Sequence, residues 1–234
     1  MQKGQSGGLQ INLSLPTQFP TSCPLTARYN RTTNARWLGA WGSCDVDRAE
    51  GGSLMQLFDP KLAFAKPLIE HWCSIRNGLK LVPREADLDP RQLQRVLPSL
   101  SIMDISHPDA SIIAVMGKDI KARYPAGVSQ QDWYDFIPEE GAAVAREAVR
   151  RLIDTPCGVY YRYKITDGST AVETGEALAL PMLTHKSDKP TAWISVARIE
   201  GEGGLIVLPI TLDELSVEFV DIGAGVSGGV ALRK

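Results

Sequence analysis

Clustered histidines, paired cysteines, long apolar runs and an excess of either charge are all missing from this sequence, and each absence removes a class of function. His71, His107 and His185 lie far apart, so no ligand set at helical or hairpin spacing marks a metal or haem site, and surface or packing roles are expected of them. Cys23, Cys44, Cys73 and Cys157 form no C-x-x-C pair, which argues against a zinc site or a disulfide framework and leaves reduced thiols. No apolar stretch approaches the roughly 18 residues of a membrane-spanning helix, and no cationic segment leads into a hydrophobic one at the N-terminus. A cytoplasmic protein with no membrane partner is expected. Lys and Arg (25) nearly balance Asp and Glu (27), and no basic stripe is interleaved with aromatics, so nucleic acid is not an expected partner. G-x-S-x-G, H-E-x-x-H and phosphate-loop motifs do not occur, and no spacing suggests a nucleophile beside a base, so no enzyme is expected.

The one catalytic-looking pattern is Gly223-Ala224-Gly225-Val226-Ser227-Gly228, which fits G-x-G-x-x-G. A dinucleotide fold needs a helix and a further strand after the glycines, and six residues cannot supply them, so a flexible tail is expected instead.

What is present is patterned after residue 54. Residues 1–54 hold glycine, serine, proline and isolated tryptophans without a period of 2 or 3.6, and are expected to be a disordered or mis-annotated segment ahead of a start at Met55. Asp59-Pro60 caps a helix whose Leu62, Ala65, Leu68, Ile69, Trp72 and Ile75 recur at three- and four-residue steps, with Pro67 as a kink or the true start. Asp89-Pro90 opens a second short helix ending at Pro98. Leu100 to Ile105 and Ser111 to Met116 read as a hairpin about His107-Pro108-Asp109. A long helix is expected from Pro138 to about Asp154, stopped by Thr155-Pro156. Val159, Tyr161, Tyr163 and Ile165 alternate with polar neighbours into an Asp167-Gly168 turn, and the returning strand sets Thr174, Glu176, Leu178 and Leu180 on one face. A strand from Thr191 to Ile199 follows, and the run Leu205 to Ile210 either pairs with the sheet or lies along it. This order predicts an α+β fold with an antiparallel sheet and helices gathered on one face, a domain over 55–200 and an extension over 201–234.

The run Trp72, Arg76, Gly78, Pro83, Arg84, Asp87, Leu88, Asp89, Pro90, Leu97 and Pro98 resembles the entry of a family of small, single-PAS-domain sensory proteins known mainly from alphaproteobacteria. Glu176 to Met182, with its Leu-Pro pair, is similar to a strand of that family, as is the close at Phe219, Val220, Asp221, Ile222 and Gly223. Lys118 to Arg123 departs from the family's pattern. The resemblance implies a five-stranded antiparallel sheet with flanking helices and an N-terminal helical extension, a pocket under the concave face, and self-association through helices outside the core. It also implies a bacterial sensory or regulatory role with no output domain of its own. The expected partners are a second copy, a separate signalling protein and a small-molecule ligand whose identity, like that of any cofactor, stays open. An adaptor working by protein contacts alone, or a small enzyme, are the competing classes.

The candidate site residues are Trp133, Tyr161, Tyr163 and Trp193, which could line a pocket or belong to a plain core, and Glu176. Glu176 shares face parity with Leu178 and Leu180, so it must be paired or protonated if that face is inward. It either orients a ligand or forms an internal ion pair with Arg84 or another arginine; the pair is favoured because buried charges usually find protein partners. Trp72, Arg76, Pro83, Arg84, Asp87, Asp89 and Pro90 are expected to be structural, with Trp72 and its apolar neighbours offering a face for the second copy.

Overall fold

A computed structural model describes 57, 59–76, 81–107, 109–166, 172–184, 187–201, 205–206, 208, 210–226 and 228–233. The expectations for residues 1–54, Met55, Gly78 and Asp167-Gly168 lie outside these. The N-terminal elements start as a 3-10 turn at Pro60–Ala65, capped by Asp59, whose carboxylate accepts from the Lys61 N–H. The helix α1 (Lys66–Ser74) follows with Pro67 in its first turn, so the proline starts the α-helix and does not kink it. The residues after Asp89 form successive turns and a 3-10 turn at Leu97–Ser99 in place of the expected helix, because Pro98 limits the ladder to isolated bonds such as Leu97 N–H to Leu93 C=O.

Strands β1 (Leu100–Asp104) and β2 (Ile112–Met116) form the expected hairpin, followed by the short helix α2 (Lys118–Lys121) and the long helix α3 (Glu139–Asp154). Then come β3 (Gly158–Thr166), β4 (Val172–Met182), β5 (Ala192–Glu200), β6 (Thr211–Val220) and β7 (Gly229–Arg233). They form one antiparallel sheet in the order β2-β1-β5-β4-β3-β6-β7. The expected five strands are all present, and β6 and β7 extend the sheet beyond β3 to seven. Among the described residues of the run Leu205 to Ile210, none pairs in a strand. They form a strap, with the Ile206 N–H donating to the Arg123 carbonyl (2.6 Å) and the Ile210 N–H to the Phe136 carbonyl (2.9 Å).

The glycines before β7 are no tail. Asp221 Oδ1 accepts the N–H groups of Gly223 (2.8 Å) and Gly225 (2.9 Å), and these glycines and Gly228 take φ of 110°, 75° and 102°. Those angles strain any side chain, so glycine is what turns β6 back into β7.

Helices do not gather on one face of the sheet; they cover both. On one face α1 and the turn before it bury Leu62, Leu68, Ile69 and Trp72 against Leu178, Leu180, Met182 and Ile194. On the other, α3 sets Ala148, Val149 and Leu152 against Val159, Ala179, Trp193 and Phe219. The face of α1 read as a contact surface is therefore used within the chain: Trp72 is wholly buried, and its Nε1 donates to the Pro181 carbonyl at 2.9 Å. Pro181 lies beyond the last β3 pair, Val159 with Ala179, so its missing N–H breaks no bond to β3. Pro83 and Arg84 clip the same strand end. The Leu183 N–H donates to the Pro83 carbonyl, the Glu85 N–H to that of Leu183, and Arg84 Nη1 to that of Thr184 (3.3 Å). Arg76 stacks on the Trp72 ring at 5.0 Å. Asp87 and Pro90 are exposed.

His71 is a packing residue with a pH signature. It is buried, and its Nε2 accepts the Asp89 N–H at 2.9 Å, which requires the neutral ring. Burial holds its pKa below 6.5, with the Asp89 carboxylate pulling the other way. Asp89 is itself held below the usual carboxylate range by its hydrogen bonds to Arg91, so it stays charged through the His71 titration. A lowered folded-state pKa means that stability is complete above about pH 6.5, where the unfolded histidine is also neutral, and is lost as pH falls through the folded value. The wild-type urea midpoint should therefore drop more steeply between pH 7 and 5 than that of His71→Gln. Equal slopes would show that His71 titrates alike in both states.

Candidate functional site

The face of the sheet turned toward α3 carries a patch of small side chains. Along β4, Gly175, Ala177 and Ala179 point to this face, and β5 sets Ala197 and Ser195 opposite Ala177 and Ala179. A Cβ at Gly175 would lie 2.3 Å from Tyr163 Cζ and push the ring away, so the glycine lets the tyrosine ring lie on the strand. Tyr161 and Tyr163 stand two apart on β3 with ring centres 6.2 Å apart. Tyr161 lies on an interior strand yet keeps accessible surface, and Ala197 is half-buried one residue past the last β1–β5 pair, Leu100 with Val196.

The roof comes from residues 118–137. Asp132 Oδ1 accepts the N–H groups of Ser111 (2.9 Å) and Tyr134 (3.1 Å), which caps the 3-10 turn Trp133–Phe136 and ties it to the start of β2. Trp133 is thereby set edge-on to Tyr124 (5.7 Å) and to Phe136 (6.3 Å). The turn after α2 carries Arg123 and Tyr124. Arg123 Nη2 donates to Glu173 Oε1 on β4 at 2.7 Å, and the two side chains are only 14% and 13% exposed. Burial pushes the Tyr161 hydroxyl up to about 12, with Ser195 acting weakly in the other direction. It also raises Tyr124 and Tyr163 well above the ordinary range, with Glu173 adding to both. These phenols remain hydrogen-bond donors at neutral pH.

Of the candidate residues, Trp133, Tyr161 and Tyr163 come together around this small-residue patch. Trp193 is on the same face but is buried in the core cluster packed by α3, two residues along β5 from Ser195. Glu176 lies on the opposite face. Its partner is Arg198 and not Arg84: Arg198 Nη2 lies against Glu176 Oε1 as an ion pair without hydrogen-bond alignment, and the Tyr160 hydroxyl donates to Oε2 at 2.6 Å. Arg198 also packs over the Phe64 ring at 5.4 Å, joining the N-terminal elements to the sheet. Glu176 is 15% exposed and Arg198 53%. Glu176→Ala should cost about 1–3 kcal/mol, because it leaves the buried Tyr160 hydroxyl without an acceptor. That is less than the roughly 3–5 kcal/mol of a fully buried pair, since water can reach Arg198. Glu176→Gln should stay within about 1 kcal/mol in urea unfolding; a loss as large as that of the alanine variant would mean that the charge matters more than the acceptor.

Arg123, Tyr124, Glu173 and the small-residue floor complete the site and were not among the candidates. The floor alone had a sequence signal, small residues at alternate positions 175, 177 and 179. Among the described residues no group of histidines, cysteines or carboxylates could hold a metal ion, and no helix is long and apolar enough to cross a membrane. Cys73 and Cys157 are in no disulfide, and burial pushes Cys157 up to about 12, where it is unreactive.

A family model described as a PAS domain matches residues 62–194, more than half of the chain, from the N-terminal turn to the third residue of β5. No curated protein and no solved structure matches the sequence.

Proposed function

We propose that this chain, which belongs to the PAS domain family, is a sensory module that holds a small molecule in a hollow between its sheet and residues 118–137 and relays occupancy to a separate signalling protein. PAS domains are generally sensory and not catalytic, and the reading assigns no chemistry to the site. A cytoplasmic, bacterial setting, related to small single-PAS proteins, belongs to the same proposal. The observation that carries it is the accessible surface kept by Tyr161 on an interior strand, beside the small side chains of β4 and β5 and the aromatic pair Tyr124–Trp133. The strap offers a relay route, since its Ile206 is bonded to the Arg123 backbone and the strap leads directly into β6.

Ala197→Leu tests the hollow. In a filled core, added methylenes cost about 1–3 kcal/mol. Here the new side chain enters existing space, so the urea midpoint should shift by the equivalent of less than about 1 kcal/mol. Native mass spectrometry of freshly purified protein should show a retained small molecule that the variant lacks, and the same spectra report the oligomeric state. A ligand-free wild type combined with a strongly destabilised variant would mean a packed core, and would favour an adaptor that acts through protein contacts.

A further inference from the structure

We propose that residues 130–133 guard the outer edge of β2, and that displacing them lets β2 pair antiparallel with β2 of a second copy of this chain. β2 is an end strand of the sheet, and an uncovered end strand offers its N–H and C=O groups to any extended chain. Its sequence makes a second copy the fitting occupant. Ser111 to Met116 reads Ser-Ile-Ile-Ala-Val-Met, with no charge, no proline and three β-branched side chains, the composition of segments that pair with themselves. A copy brings the same uncharged strand, so no like charges oppose the pairing. Apolar surface is exposed there as well. Val115 on β2 is 45% exposed, and Leu97, 36% exposed, has its carbonyl against Gly117, the residue after β2.

The edge is closed by hydrogen bonds from one short segment. The Ser111 N–H donates to Asp132 Oδ1 (2.9 Å), and the Ser111 carbonyl accepts the Trp133 N–H (2.8 Å). The Ile113 N–H donates to the Gln131 carbonyl (3.0 Å), and the Ile113 carbonyl accepts the Gln130 N–H (2.8 Å). The Gln130 side chain continues the row: its Nε2 donates to the Ala114 carbonyl at 3.0 Å and, more weakly, to that of Ile113 at 3.4 Å. Gln130 holds φ at 69° in this position, and among the described residues no other non-glycine has a positive φ. That backbone is costly for a residue with a side chain. Gln130 is also exposed, so burial does not offset the cost. What the strained residue supplies is the cover over β2.

Gln130→Gly removes the side-chain amide and relieves the backbone, so the fold should survive, which thermal melting checks. Sedimentation velocity over a concentration series of the full-length protein should then show self-association at least about tenfold tighter than in the wild type. It should close at a dimer, because antiparallel pairing of one strand with its copy is two-fold. Adding Val115→Lys sets like charges across the new pair and should return association to the wild-type level. Gln130→Met keeps the backbone N–H and loses only the amide, so its association should fall between wild type and Gln130→Gly, and the test does not hang on one variant folding. Wild-type association in a folded Gln130→Gly chain would overturn the proposal. Open-ended growth, or a dimer that Val115→Lys leaves intact, would do the same by moving the contact to another surface.

Discussion

Trp72→Ala should lower the stability of this protein by about 3–5 kcal/mol, the range for removing a wholly buried tryptophan. The ring is enclosed between α1 and the ends of β4 and β5, where it shares a cluster with Leu68, Leu180, Met182 and Ile194. None of these can collapse into the space without moving the helix, because Pro83 and Arg84 hold the same strand end from the other side. Truncation also leaves the Pro181 carbonyl without the Nε1 donor at 2.9 Å. Trp72→Phe separates the two effects: it keeps most of the volume and removes the donor, so it should cost about 1–3 kcal/mol. Urea unfolding at fixed pH measures both. A change under about 1 kcal/mol in the alanine variant would place Trp72 on a surface and restore α1 as a docking face for a second copy.

The sequence placed Trp72 correctly on a helical stripe and still misassigned what it faces. Periodicity reports which side of a helix is apolar and carries no information on what covers it. With all helices assigned to one side of the sheet, the stripe of α1 had no partner; in the structure it covers the second face. The same limit applies to Glu176. Its parity with Leu178 and Leu180 was legible, and the three do share a face, but that face is the one under α1, so Glu176 is remote from the tyrosines it was grouped with.

The strands β1 to β5 were legible because β3 and β4 alternate and β1, β2 and β5 are aliphatic, β-branched runs bounded by turn residues. Strand β6 was hidden by a register shift: Lys164 pairs with Glu214 and Ile165 with Leu212, so Asp213 is extra and the apolar residues Leu212 and Leu215 fall three apart, not two. The glycines that return the chain into β7 looked like a tail because the role of Asp221 as acceptor for two of their N–H groups depends on backbone geometry. The candidate site was half visible. Tyr161, Tyr163 and the small residues of β4 show in the alternation, whereas Arg123 and Glu173 are fifty residues apart and meet only when the turn after α2 folds over β4.

The Arg123–Glu173 pair gives the second large effect, and its sign depends on how many partners are removed. With 14% and 13% of the side chains exposed, each charge has given up most of its water and relies on the other. Arg123→Met strands a buried carboxylate beside Tyr124 and Tyr163, and Glu173→Gln strands a buried guanidinium. Each single variant should lose about 3–5 kcal/mol. The double variant should recover most of that loss, ending near the wild type, because replacing both charges removes the cost of taking them out of water along with their attraction. A double-mutant cycle in urea should therefore give a coupling of at least about 2 kcal/mol. Additive losses would mean that the two groups are solvated independently. Raised salt provides a second check, since screening falls mainly on exposed charges: the coupling should persist from about 0.1 to 1 M, where a surface pair fades.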